Sequence, residues 1–203
     1  MLKNILNQVV QGASTPTGTG AIAGAGVGLL SGLLLGNKKM GGIGAVGGTA
    51  ALGALAFAAI NKWQAGKGAP AGSPQTQSAA LNFDAMPPQN QEEYNRALLA
   101  AIVAAAKADG VFDPGERKYI QEQTEKLNDP QMTAWVQQEI SKPLDVGAIA
   151  ALATSPEMAA ELYLASFVII EQPNNPERKY LDALATKMNI DRQLQRELEG
   201  QVV

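Results

Sequence analysis

Three carboxylates converge on one short stretch of this chain, Ala108-Asp109-Gly110-Val111-Phe112-Asp113-Pro114-Gly115-Glu116. Asp109 follows an apolar helical run, Gly110 permits a tight turn, and Asp113 and Glu116 open the next helix. Oxygen donors grouped in this way are what a hard divalent cation needs. Asp109, Asp113 and Glu116 are therefore candidate ligands for Ca²⁺, Mg²⁺ or Mn²⁺. The same side chains have a second use. Asp113, Pro114 and Glu116 fit the N-cap, first and third positions of a capping box, which stabilises a helix start by about 1 kcal/mol without any ion. The spacing is not that of an EF-hand loop. Capping and cation binding are both open at this level. A second polar turn, with Glu171, Asn174, Asn175 and Glu177, would enlarge the cluster if it faced the first.

Composition narrows the remaining chemistry. The chain of 203 residues has no Cys and no His. Thiol nucleophiles, disulfides, His-based acid–base catalysis and His or Cys metal sites are excluded. Any metal would be held by oxygen. With no nucleophile motif either, an enzyme is not expected. Aromatic residues make up 5% of the chain, too few for a base-stacking platform. Nucleic acid is not an expected partner.

Charge divides the chain in two. Residues 1–83 hold five lysines and no acid, whereas residues 84–203 hold the other 11 basic residues and all 19 acids, a net of −8. The basic part is also the apolar part. No charge falls between Lys3 and Lys38, or between Lys39 and Lys62. Helices are expected at 20–36 and 40–60 within a membrane segment, residues 1–65. The second run has 21 residues, about 31 Å as a helix, against a hydrocarbon core of roughly 30 Å. Trp63, with Lys62 and Lys67, suits an interfacial position.

Gly20, Gly24, Gly28, Gly32 and Gly36 recur every fourth residue, and Gly44 and Gly48 continue a small-residue face in the second run. That spacing aligns them in a stripe where helix backbones approach closely. A glycine-zipper transmembrane hairpin follows as the leading expectation, with the bilayer as partner and self-association through the stripe. The flanking lysines, two in the turn against three at the ends, leave open which side of the membrane the remainder faces.

Residues 66–91 are rich in Gly, Pro, Ser and Gln and read as a disordered linker. Residues 92–203 carry helix start signals in succession and no strand alternation. Helices are expected near 91–108, 114–127, 130–140, 145–153, 156–171, 176–188 and 191–199, with Asp145 and Asp191 as caps. Ala100–Ala106 and Leu162–Ile170 are the central core segments. Glu116-Arg117-Lys118-Tyr119-Ile120 recurs as Glu177-Arg178-Lys179-Tyr180-Leu181, which suggests two related helix–turn–helix units.

At Ala106-Lys107-Ala108-Asp109-Gly110, Glu116 and Ile120 the chain resembles the tellurite-resistance TerB-like superfamily. Members carry A-x-A-D-G-x-x-x-x-x-E-x-x-x-I/L at the turn between two early helices. The second turn departs from the Asp-x-Asp-Gly-like form and reads Glu171-Gln172-Pro173-Asn174-Asn175. The whole layout, a glycine-rich membrane stretch before such a domain, resembles the YebE-like bacterial inner-membrane proteins. The resemblance implies an all-α domain of about seven helices, an inner-membrane setting, stress response, and divalent-cation binding. It supplies no reaction.

The expectation is a membrane-anchored, non-enzymatic interaction or sensing module whose acidic domain binds a cation, a protein partner, or both. The alternative is a glycine-zipper oligomer whose membrane segment is the active part. Calorimetric titration with Ca²⁺, Mg²⁺ and Mn²⁺ should give heat that Asp109→Ala removes. No heat and no thermal shift at millimolar ion would leave capping as the sole role of the turn.

Overall fold

From Pro156 to Ile170 the chain is apolar on every side except at Glu157, Glu161 and Ser166. A helix apolar all round has to be covered all round. The computed structural model, which describes residues 48–67, 87–110, 130–170 and 173–202, shows how this is achieved. Seven helices are present among the described residues, and no strand: α1 (Gly48–Gly66), α2 (Pro88–Ala106), α3 (Pro130–Ser141), α4 (Val146–Ala150), α5 (Pro156–Ile170), α6 (Asn175–Lys187) and α7 (Arg192–Glu199).

Helix α5 is the centre. Every residue from Met158 to Val168 is buried. Helix α2 makes the most extensive contact with it, α1 lies against another side, and α6 and α7 complete the cover. The facing surface of α2 is rich in alanine, with Ala97, Ala100, Ala101, Ala104 and Ala105 all buried. Small side chains let the two backbones approach closely. Ser166 fits between them, donating its hydroxyl to the Leu162 carbonyl at 3.0 Å. As expected from sequence, Ala100–Ala106 and Leu162–Ile170 supply the core.

Helix ends follow local chemistry. The Asp145 side chain accepts from the amides of Gly147 and Ala148 to start α4, and Asp191 accepts from Gln193 and Leu194 to start α7. Asn174 and Glu177 form a reciprocal capping box on α6. Asn189, with φ of 56°, ends α6 in the left-handed conformation, and the Ile190 amide reaches back to the Ala185 carbonyl at 2.9 Å, a Schellman-type stop. Lys107 donates to the carbonyls of Glu139 and Lys142, at 3.0 and 2.9 Å. A cation there satisfies carbonyls left open at the end of α3.

The second apolar run departs from expectation. Its length and lack of charge predict a spanning helix over 40–60. The part of that run that the structure describes lies in helix α1, Gly48–Gly66. Leu52, Ala56, Ala59 and Ile60 are buried in the same core as α2 and α5. Protein covers that face of the described part of the run. Among the described residues no helix is long and apolar enough to cross a membrane. The physical reason is that an uncharged Gly/Ala/Leu helix suits a protein core as well as lipid, and periodicity does not separate the two.

Trp63 and its lysines are likewise engaged with protein. The Trp63 indole donates to both Asp191 oxygens at 3.0 and 3.1 Å. Lys67 pairs with Asp191 at 2.8 Å and sits 4.0 Å from the Trp63 ring centroid. Lys62 pairs with Glu197 at 2.7 Å. The expected helices at 20–36 and 114–127, the stripe from Gly20, Gly24, Gly28, Gly32 and Gly36 to Gly44, and most of the linker lie outside the described residues. Gly48 is the first residue of α1.

Asp191 thus both starts α7 and holds the end of α1. Asp191→Ala is expected to lower stability by about 1–2 kcal/mol, the upper range of a lost N-cap, measured by urea unfolding. Asp191→Asn keeps the capping acceptor and gives up an exposed ion pair, so it should cost clearly less.

Candidate functional site

Helix α5 carries one ionisable carboxyl inside its buried stretch. Glu161 is 1% exposed. It lies where α1 and α2 both meet α5. The Tyr94 hydroxyl of α2 donates to Glu161 Oε2. From α1, a Cβ added at Gly53 would stand 3.2 Å from Glu161 Oε1. That is tighter than ordinary contact, so the absence of a side chain at Gly53 is what lets α1 lie on the carboxyl. Burial pushes the Glu161 carboxyl up to about 8. Removing an ionised carboxylate from water costs several kcal/mol, and the group keeps its proton at neutral pH instead. A neutral carboxyl can donate as well as accept a hydrogen bond.

Tyr94 links this carboxyl to the surface. It also lines a cleft of about 750 Å³ with Glu93, Arg96, Ala97, Trp135 and Met158. Arg96 lies over the Trp135 ring, 5.7 Å from guanidinium carbon to ring centroid, and pairs with Glu92 at 2.6 Å. Its buried Nε has no hydrogen-bond partner among the described residues.

A second polar cluster ties α5, α6 and α7 together. Glu199 accepts from Tyr163 and from Arg178, each at 2.6 Å. Gln195 donates to Tyr163 and to Asp182, each at 2.9 Å. Burial and the Glu199 carboxylate raise the Tyr163 hydroxyl well above its ordinary value. Burial also pushes Tyr180 up to about 12, against a contact with Ser166 at 3.4 Å. Each of these polar groups has partners within the cluster, which accounts for it as a structural tie.

The sequence-derived site is only partly placed. Asp109 is exposed in the turn after α2, and Gly110 there has φ of 79°, the left-handed turn that glycine favours. Asp113 and Glu116 lie outside the described residues, as does Glu171. Among the described residues no group of three His, Cys, Asp or Glu side chains could hold a metal ion. Asn174 and Glu177, read as an extension of the acidic cluster, are committed to each other in the α6 capping box. Glu161 was missed. Its signal was present as the single charge in Met158–Ile170, and Gly53 as the single glycine in Thr49–Ala59.

The chain matches the family described as "Protein of unknown function (DUF533)" over residues 19–202. A protein of Yersinia enterocolitica described as "Uncharacterized protein in ampR 5'region" is 32% identical over 106 residues, 52% of this chain and 76% of that protein. No solved structure matches the chain.

Glu161 sets a pH dependence. Its carboxyl is raised in the fold from 4.5 to about 8, so the folded protein holds a proton that the unfolded chain releases. The contribution is full below about pH 4.5, declines as pH rises, and is lost above about pH 8. The slope is at most ~1.4 kcal/mol per pH unit. Urea unfolding between pH 5 and 8 should show stability falling as pH rises, and Glu161→Gln should flatten that fall.

Proposed function

This chain belongs to the family of proteins of unknown function DUF533, and we propose that it acts as a membrane-anchored, non-enzymatic interaction or sensing module of the bacterial envelope. The observation that carries the reading is the docking of α1. This helix holds the end of the uncharged apolar run that starts at Met40, and it is folded onto the acidic helical domain. The apolar segment and the domain are therefore mechanically joined, and whatever moves one is felt by the other. The family match supports the pairing, since it begins at residue 19 and takes in the glycine-rich stretch together with the domain.

The finer assignment, to YebE-like inner-membrane proteins with a TerB-like domain, belongs to the same proposal. The left-handed turn at Asp109-Gly110 and the buried Tyr180 of the Glu177–Leu181 helix are in keeping with it. In this reading the acidic turn takes a divalent cation and the cleft beside Trp135 takes a protein partner. The lack of Cys and His supports a role without covalent chemistry.

Membrane fractionation tests the anchor. The comparison is between the full chain and a truncation that starts at residue 48, so that α1 and its share of the core are kept. The full chain should sediment with membranes and resist carbonate extraction, while the truncation should be released. Recovery of the full chain in the soluble fraction would sink the reading. Protease access from each side then identifies the compartment the domain faces.

A further inference from the structure

Glu161 turns its two carboxyl oxygens to two different elements. Oε2 accepts from the Tyr94 hydroxyl of α2. Oε1 lies under Gly53 of α1, where an added Cβ would stand 3.2 Å away. Helices α1 and α2 each pack on α5 far more than on each other, so this carboxyl is a point where the two meet. Among the described residues Tyr94 is its one hydrogen-bond partner. The last torsion of a glutamate side chain is broad and settles on no angle by itself. The Tyr94 hydroxyl therefore sets the tilt of the carboxyl plane, and that tilt sets how closely α1 can lie on it.

Tyr94 also belongs to the wall of the cleft beside Trp135. That cleft reaches α5 through Met158, one turn before Glu161. A smaller cavity of about 290 Å³ adjoins it and shares Ala100, Glu139, Lys142 and Leu152. Leu152 is 37% exposed, and Leu144, which lines the smaller cavity, is 39% exposed. They are the exposed large apolar side chains among the described residues. Apolar surface gathered along one opening marks a place of contact with another molecule. An occupant seated there meets Tyr94.

We propose that Glu161 couples this cleft to the seat of α1, with Tyr94 as the connecting side chain. An occupant that draws the Tyr94 hydroxyl aside frees the carboxyl plane, and Oε1 leaves the position over which Gly53 fits. The fit of α1 at Gly53 loosens, while its last turns stay held by Lys62 on Glu197 and Trp63 on Asp191. Linkage makes the effect reciprocal, so a shift of α1 at Gly53 changes the affinity of the cleft by the same factor. The proposal rests on the reading above that the cleft takes a partner. It supplies the route by which that partner reaches the apolar segment.

Two measurements on the full chain test the coupling. The first is a double-substitution cycle read by urea unfolding. Gly53→Ala presses on Oε1, and Tyr94→Phe removes the hydroxyl that fixes it. The helix propensity gained with alanine is the same in both backgrounds and cancels. The unfolding equilibrium constant of the double variant should depart from the product of the single effects by about threefold or more. The second measurement places an occupant in the cleft. The chain has no cysteine, so Leu152→Cys gives a single thiol, to which benzyl methanethiosulfonate attaches a benzyl group. Hydrogen exchange over residues 52–60 of α1 should quicken by about threefold or more on modification, and should not respond in the Tyr94→Phe background. An additive cycle overturns the coupling. So does exchange in α1 that the benzyl group leaves unchanged, or changes equally without the Tyr94 hydroxyl. Neither readout depends on lipid. A chain that shows the coupling but is recovered in the soluble fraction loses the anchor alone, and one that sediments with membranes but gives an additive cycle loses the coupling alone.

Discussion

A helix with no polar face and one acid in its middle sets the terms for the rest of the described structure. Helix α5 cannot stand in water on any side, so α1, α2, α6 and α7 are recruited around it. Its acid cannot be left alone in that environment either. Glu161 needs a hydrogen-bonding neighbour, a proton, and a covering helix that brings no bulk to the carboxyl. Tyr94 supplies the first, burial enforces the second, and Gly53 supplies the third. The junction of α1, α2 and α5 is specific because all three conditions meet at one point.

The polar contacts that hold the outer helices are built by giving one side chain two tasks. Asp191 caps α7 with its Oδ1 and receives Trp63 of α1 and Lys67 just after it. Helix initiation in α7 and attachment of α1 are thereby linked. Glu199 takes both Tyr163 of α5 and Arg178 of α6. Most of these ion pairs are open to water, where each contributes between nothing and about 1 kcal/mol. Apolar burial sets the stability, at about 1.5–3 kcal/mol for each fully covered Leu or Ile. The polar pairs set which helix lies beside which.

The division of charge acquires a structural sense from α1. A basic, apolar N-terminal part and an acidic domain are joined through lysines of the former resting on carboxylates of the latter, Lys62 on Glu197 and Lys67 on Asp191. The contrast in composition marks a contact as well as a difference in environment.

What the sequence determined by itself was local. Asp145 and Asp191 were legible as caps because an acceptor one residue before a helix needs only its own next amides. The two central core segments were legible because long apolar stretches in a water-facing chain have to be buried. The turn at Asp109-Gly110 was legible because glycine tolerates a left-handed backbone. The destination of α1 and the importance of Glu161 were decided by tertiary structure. A helix of Gly, Ala and Leu carries the same sequence pattern whether its host is lipid or protein, and its environment is set by residues more than a hundred positions away, such as Glu161 and Asp191. A carboxyl in a helix pattern looks like a solvated one until the elements that cover it are in place. Long-range packing removed the water, and with it the charge that the sequence alone would assign.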